Sequence, residues 1–209
     1  MMERMRSPYR VCFVCSGNIC RSPMAESVFR ARVEEAGLDG LIEADSAGTG
    51  GWHAGDEADP RTVAVLARQG YGTEHSARQF RPGDFAERDL VIALDAGHQR
   101  HLRRLAPSGE AADKVRLLLS YDPKATQLDV PDPYYGGNAG FDECLEMIEP
   151  AAEALLDAIR TELRERGDLD DAKTKSGDVS SDAASNDGVS SDGDTSESLT
   201  TDDIPARQP

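Results

Sequence analysis

The first 166 residues predict an α/β fold, a four-stranded parallel sheet with helices on both faces. Three observations carry this. Short apolar runs recur, too brief for helices and built mainly of Val, Ile, Leu and Phe. Between them lie stretches whose apolar residues return every three or four positions. The two patterns alternate, which is the order a parallel sheet with crossover helices requires.

Tyr9 and Arg10 lead into Val11-Cys12-Phe13-Val14, apolar at both parities and so suited to a strand buried on both faces. Ser16-Gly17-Asn18 stops it. Ser22-Pro23 then opens a helix, with Ser22 expected as its N-cap and Pro23 in the first turn. Ala25, Val28, Phe29, Val33 and Ala36 share one face, and Gly37 ends the helix. Leu41 to Ala44 reads as the second strand and Ser46-Ala47-Gly48-Thr49-Gly50-Gly51 as the loop after it. Arg61 to Arg68 reads as a helix, Leu90 to Leu94 as the third strand, His98 to Leu105 as a helix and Val115 to Leu119 as the fourth strand. A long loop through Asp129-Val130-Pro131-Asp132-Pro133-Tyr134-Tyr135-Gly136-Gly137 leads to a last helix. Its apolar face is Phe141, Cys144, Leu145, Ile148, Ala152, Leu155, Leu156, Ile159 and Leu163, and Pro150 inside it is expected to kink it.

The chain has 209 residues, 23 basic and 39 acidic, for a formal charge of −16. Residues 167–209 hold 11 acidic and 3 basic side chains and no aromatics, with Ser, Asp, Gly and Thr dominant. Such a composition cannot bury a core. The expected organisation is a flexible N-terminus (1–8), one folded domain (9–166) and an acidic disordered tail (167–209). A net-negative domain argues against nucleic acid as a partner, since phosphate backbones need a basic face. No run of about 18 apolar residues exists to span a membrane. The charged start and the short stretch Val11 to Cys15 do not make an export signal. A cytoplasmic location with four reduced cysteines is the expectation.

The chemistry concentrates after the first strand, where ligands of such folds bind. Cys15-Ser16-Gly17-Asn18-Ile19-Cys20-Arg21-Ser22 puts a thiol at one end of a short loop and a guanidinium near the other. Curled round an anion, the loop would aim its N–H groups inward, and the following helix would add its positive end. That field stabilises a thiolate at Cys15, a nucleophile. Arg21 can hold two phosphate oxygens in its planar fork. Gly17 admits a close backbone approach or a positive φ. There is no Gly-Lys-Ser/Thr ending of the ATP-binding kind. A thiolate attacking phosphorus needs an acid for the leaving oxygen, and Asp132 in the long loop is the candidate. Tyr134 and Tyr135 beside it could wall an aromatic pocket.

The string Val14-Cys15-Ser16-Gly17-Asn18-Ile19-Cys20-Arg21-Ser22-Pro23-Met24-Ala25-Glu26 resembles the low-molecular-weight protein tyrosine phosphatase family, bacterial type. So do Asp45-Ser46-Ala47-Gly48-Thr49-Gly50-Gly51-Trp52-His53 and Asp132-Pro133-Tyr134-Tyr135, in the family's order and separation, and the likeness spans roughly residues 9–166. The resemblance implies that Cys15 forms a phosphocysteine, Arg21 holds the phosphoryl group, and Asp132 protonates the leaving tyrosine and then activates water. Ser22 would hydrogen-bond the Cys15 thiolate. Asn18 would brace the loop with Ser46 and His75, and Trp52, Tyr134 and Tyr135 would rim the cleft. Cys20 would be the second loop cysteine, able to trap oxidised Cys15 as a disulfide. No metal or organic cofactor is implied. The partners implied are phosphotyrosine-containing proteins, with a cognate tyrosine kinase among the candidates.

Other readings fit less well. Cys12, Cys15, Cys20 and Cys144 as a metal site would leave Asn18 to Arg21 without a purpose, so Cys12 and Cys144 are read as small buried hydrophobes. Arsenate reductases of similar fold need a further cysteine pair, and no cysteine lies between Cys20 and Cys144. Arginine phosphatases resemble this family closely but typically carry Thr where Ile19 stands. A branched apolar side chain suits a phenyl ring better than a guanidinium in need of partners. A phosphate-binding module without catalysis would normally lack the thiol or the acid. Trp52, in a glycine-rich loop, is given to the cleft. His98 and His101, on a helix with Arg100, Arg103 and Arg104, are expected to be solvated or capping residues, and His53 is left undecided.

Overall fold

The structure is a computed structural model that describes residues 7–169. The expected flexible start and acidic tail lie almost wholly outside the described residues. Four parallel strands, β1 (Tyr9–Cys15), β2 (Ile42–Gly48), β3 (Leu90–Ala93) and β4 (Val115–Leu117), form one sheet in the order β2-β1-β3-β4. Alternating side chains of the central strands go to opposite faces. Val11, Phe13, Leu90 and Ile92 meet α1 (Arg21–Glu35) and α5 (Ala139–Glu165), together with Val65 and Leu66 of α2 (Pro60–Arg68). Cys12, Val14, Val91 and Ala93 face the other way, towards Phe80, Phe85, Leu102 of α3 (Ala96–Leu105) and Ala111 of α4 (Gly109–Asp113). Both faces are therefore covered, as a parallel sheet demands.

Each helical face read from the sequence is the buried one. In α1, Ala25, Val28, Phe29 and Val33 are buried; in α5 all nine predicted positions from Phe141 to Leu163 are. α5 continues through Pro150 without interruption. That residue is exposed, so water can satisfy the carbonyl its missing N–H leaves unpaired.

Several local expectations need correction. β2 runs to Gly48, beyond the predicted Ala44, because pairing with β1 carries it through Asp45 and Ser46. Those polar residues stay in the strand because each is satisfied: Asp45 by Arg78 and Arg88, Ser46 by Asn18 and Glu26. β4 stops at Leu117. Leu118 and Leu119 wind into a short 3-10 turn, which lets two consecutive side chains enter the same core, on the α5 side. Ser22 is not an N-cap: α1 begins at Arg21, no side chain caps it, and the Ser22 hydroxyl turns back towards Cys15. α4 and the 3-10 turn Pro82–Glu87 were not anticipated.

Candidate active site

The loop after β1 and the loop after β3 leave the sheet between neighbouring strands whose connections part to opposite faces. This is the switch point where α/β folds bind ligands. Cys15 is the last residue of β1. Its carbonyl and that of Ser16 accept from Thr49 N (2.8 Å) and Gly50 N (3.0 Å), so the β2 loop is sewn to the Cys15 loop. The fit is close. A Cβ on Gly48 would stand 2.7 Å from the Ser16 carbonyl, and one on Gly17 would stand 2.9 Å from the His53 ring. Gly17 thus gives close approach, whereas the positive φ (58°) falls on Asn18.

Asn18 is held in that left-handed conformation from every side, as a side chain there must be. Its amide nitrogen donates to Ser22 Oγ (2.9 Å) and Ser46 Oγ (2.8 Å). Its Oδ1 accepts from Arg78 N (2.9 Å), and its carbonyl accepts from His75 Nε2 (2.6 Å). Ser46 in turn donates to Glu26 Oε2 at 2.7 Å. Ser22 Oγ lies 3.0 Å from Cys15 Sγ and 3.3 Å from the Ala47 carbonyl; because it already accepts from Asn18, its single proton is shared between the sulfur and that carbonyl. The nucleophile candidate is therefore buried and fixed in place.

Arg21 is 4% exposed. Its Nη1 donates to Asp95 Oδ2 (2.9 Å) and to the Val130 carbonyl (3.1 Å), while Nη2 pairs with Asp132 Oδ2 at 3.0 Å. Asp95 is also the N-cap of α3, accepting from His98 N at 2.7 Å. His98 is buried, not solvated. Its Nε2 meets Ser16 Oγ at 2.8 Å, and Nδ1 lies 3.1 Å from Asp95 Oδ2 without the alignment of a full hydrogen bond. Burial, aided by the Arg21 charge, pushes its pKa down to about 4 against the pull of Asp95, so the ring is neutral at pH 7.

Cys15, Ser16, Gly17, Ile19, Cys20, Arg21, Trp52, His53, Asp132, Tyr134 and Tyr135 line one cavity of about 250 Å³. The structure thus brings the predicted loop, acid and aromatic residues together; Asn18, Ser22, Ser46 and His75 stand behind the loop as its support. Tyr135 (92% exposed) and Trp52 (77%) are open to solvent at the mouth, Trp52 with its ring over Gly50 and Tyr135 packed edge-on by Tyr134 with centroids 5.1 Å apart. Asp132 is 40% exposed, and its second oxygen accepts weakly from Tyr134 N (3.3 Å). Burial raises the Cys20 pKa to about 12, so Cys20 stays a thiol. Larger grooves exist, one of about 760 Å³ along the β2 edge. It is lined by salt-bridged arginines and carboxylates and contains no thiol, so chemistry and not size selects the site. Among the described residues no group of three or more His, Cys, Asp or Glu is placed to hold a metal, and no helix is long and apolar enough to cross a membrane.

Three features escaped the sequence reading: Asp95, His98 and the rim position of His53. The first two were accessible from the switch-point rule, since they follow the end of β3, the strand beside β1. A thiol at a strand end, a fork of donors beside it and a carboxylate across the cavity can transfer a phosphoryl group through sulfur.

The sequence pattern of the low molecular weight phosphotyrosine protein phosphatases matches residues 10–165. A low molecular weight protein-tyrosine-phosphatase of Streptomyces coelicolor is 68% identical over 160 residues, 76% of this chain and 98% of that one. Among solved structures, YfkJ from Bacillus subtilis superposes with a TM-score of 0.71 at 41% identity, covering 77% of this chain and 99% of that one. The Drosophila arginine phosphatase does so at 0.68 and 31%, covering 72% and 97%. The chain belongs to the low molecular weight phosphotyrosine protein phosphatase family.

Proposed function

We propose that the protein hydrolyses phosphotyrosine in proteins by two displacements through a phosphocysteine. The observation that carries this is the placement of Cys15 and Asp132 on one cavity with Arg21 touching the acid. Cys15 Sγ attacks phosphorus, the S–P bond forms and the bond to the tyrosine oxygen breaks. Asp132 gives that oxygen its proton. The loop N–H groups and the Arg21 fork take up the charge on the transferring oxygens. The Asp132 carboxylate then takes a proton from water as it attacks phosphorus. The S–P bond breaks, and Ser22 receives the departing thiolate at 3.0 Å.

Trp52, Tyr134 and Tyr135 supply apolar walls for a phenyl ring. Ile19 lines the cavity and packs on the core, offering a guanidinium no hydrogen bond. Substrates are phosphotyrosyl proteins, a cognate tyrosine kinase being one candidate, and the residues named need no cofactor. Four free cysteines, one of them the nucleophile, fit a reducing cytoplasm. The test is phosphate release from matched phosphotyrosine and phosphoarginine peptides. Fast tyrosine turnover, lost in Cys15→Ser and slowed in Asp132→Asn, is expected; preferential arginine turnover would overturn the substrate class while leaving the thiolate mechanism standing.

A further inference from the structure

The acid loop is fastened at both ends. At its leading end Val130 N donates to the Leu94 carbonyl (2.8 Å), and Cys144 Sγ reaches the Pro131 carbonyl at 3.2 Å. The trailing end rests on one side chain from a different element, Arg61 in the first turn of α2. Its Nη2 donates to the Tyr134 carbonyl and its Nη1 to the Gly136 carbonyl, both at 3.2 Å. The guanidinium lies over the Phe141 ring at 4.4 Å and the Tyr134 ring at 5.7 Å.

Arg61 is itself held. Asp59 accepts from its Nε (2.9 Å) and Nη2 (2.8 Å), a two-point grip that fixes the plane of the fork. Asp59 also ties this grip to the loop carrying the thiol, because its backbone N donates to the Ile19 carbonyl at 2.8 Å. One brace thus runs from the Cys15 loop through Asp59 and Arg61 to the segment just after Asp132. Lysine could not make it, having no planar fork.

We propose that Arg61, gripped by Asp59, is a positioning residue that fixes the backbone after Asp132 and so, beside the direct Arg21 contact, holds the acid at the height where it can protonate the leaving oxygen. The proposal rests on the reading of Asp132 as the acid. It predicts a defect confined to proton transfer. A misplacement of about 1 Å costs up to about a hundredfold in such steps.

The test is kcat/KM for aryl phosphates whose leaving groups range from dinitrophenol, which departs without help, to phenol, which needs a proton. Asp132→Asn should fall about a hundredfold or more with phenyl phosphate and little with the dinitrophenyl ester. Arg61→Met should fall about tenfold with phenyl phosphate and less than about twofold with the other, with inhibition by inorganic phosphate unchanged. Added to Asp132→Asn, Arg61→Met should cost nothing more, since both act on one proton. Asp59→Asn loosens the same brace without emptying the space over Phe141, and it gives the same reading should Arg61→Met fail to fold. An equal fall with both esters, no fall, or a full additional loss in the double variant would overturn the proposal. If Asp132→Asn itself shows no leaving-group dependence, it is the acid assignment that fails.

Discussion

His98 Nε2 stands 2.8 Å from Ser16 Oγ, joining the head of α3 to the loop that carries Cys15. The imidazole is buried and neutral, and its neighbours Asp95, Arg21, Asp132 and Asp129 make its protonation a matter for the whole site. Its folded pKa of about 4 lies below the ordinary 6.5. The unfolded chain therefore takes up the proton first as pH falls. The stability this site contributes is complete above about pH 6.5 and is lost on the way down to about 4. Between pH 7 and 5 the loss should be about 1–2 kcal/mol. Urea unfolding at the two pH values should show that drop in the wild type and a smaller one in His98→Asn; equal drops would show that His98 is not buried neutral.

Asn18 combines a φ of 58° with four hydrogen bonds in a fully buried place. Asn18→Ala should destabilise by about 2–4 kcal/mol, from backbone strain and from partners left unsatisfied. It should also lower kcat/KM by about a hundredfold as the loop relaxes. Asn18→Gly keeps the backbone conformation and loses only the side-chain bonds, so urea unfolding should place it between wild type and Asn18→Ala.

Burial raises the pKa of Cys12, and those of Cys20 and Cys144 to about 12, so these buried thiols are poor nucleophiles at pH 7. Iodoacetamide at pH 7 should alkylate Cys15 alone, read by peptide mass mapping, and inorganic phosphate should protect it. Alkylation of Cys20 at a comparable rate would contradict the assignment of the nucleophile.

The parts of this protein that repeat a simple pattern were legible from sequence. β1 and β3 are apolar at both parities because both faces are covered, and α1 and α5 show their buried stripes at helical spacing. That Cys15, Arg21 and Asp132 would meet on one cavity was legible because few residue types suit phosphoryl transfer through sulfur. What stayed hidden depends on partners distant in sequence. Asp45 and Ser46 look like loop residues until Arg78, Arg88 and Asn18 satisfy them within β2. His98 looks like a solvated or capping histidine among arginines until Ser16 and Asp95 enclose it, and Asp95 carries no signal of its own until Arg21 reaches it. Gly17 was open to a close approach or a positive φ; it makes the close approach, and a web of bonds makes Asn18 take the positive φ.

The proposed mechanism requires a phosphoryl group carried by Cys15. Asp132→Asn with a nitrophenyl phosphate isolates it: the good leaving group departs unaided, whereas hydrolysis of the intermediate lacks its base, so the intermediate should accumulate. Rapid denaturing quench and peptide mapping should then find close to one phosphoryl group per protein on the peptide containing Cys15. Turnover with no label on that peptide, or with the label on another residue, would contradict the mechanism.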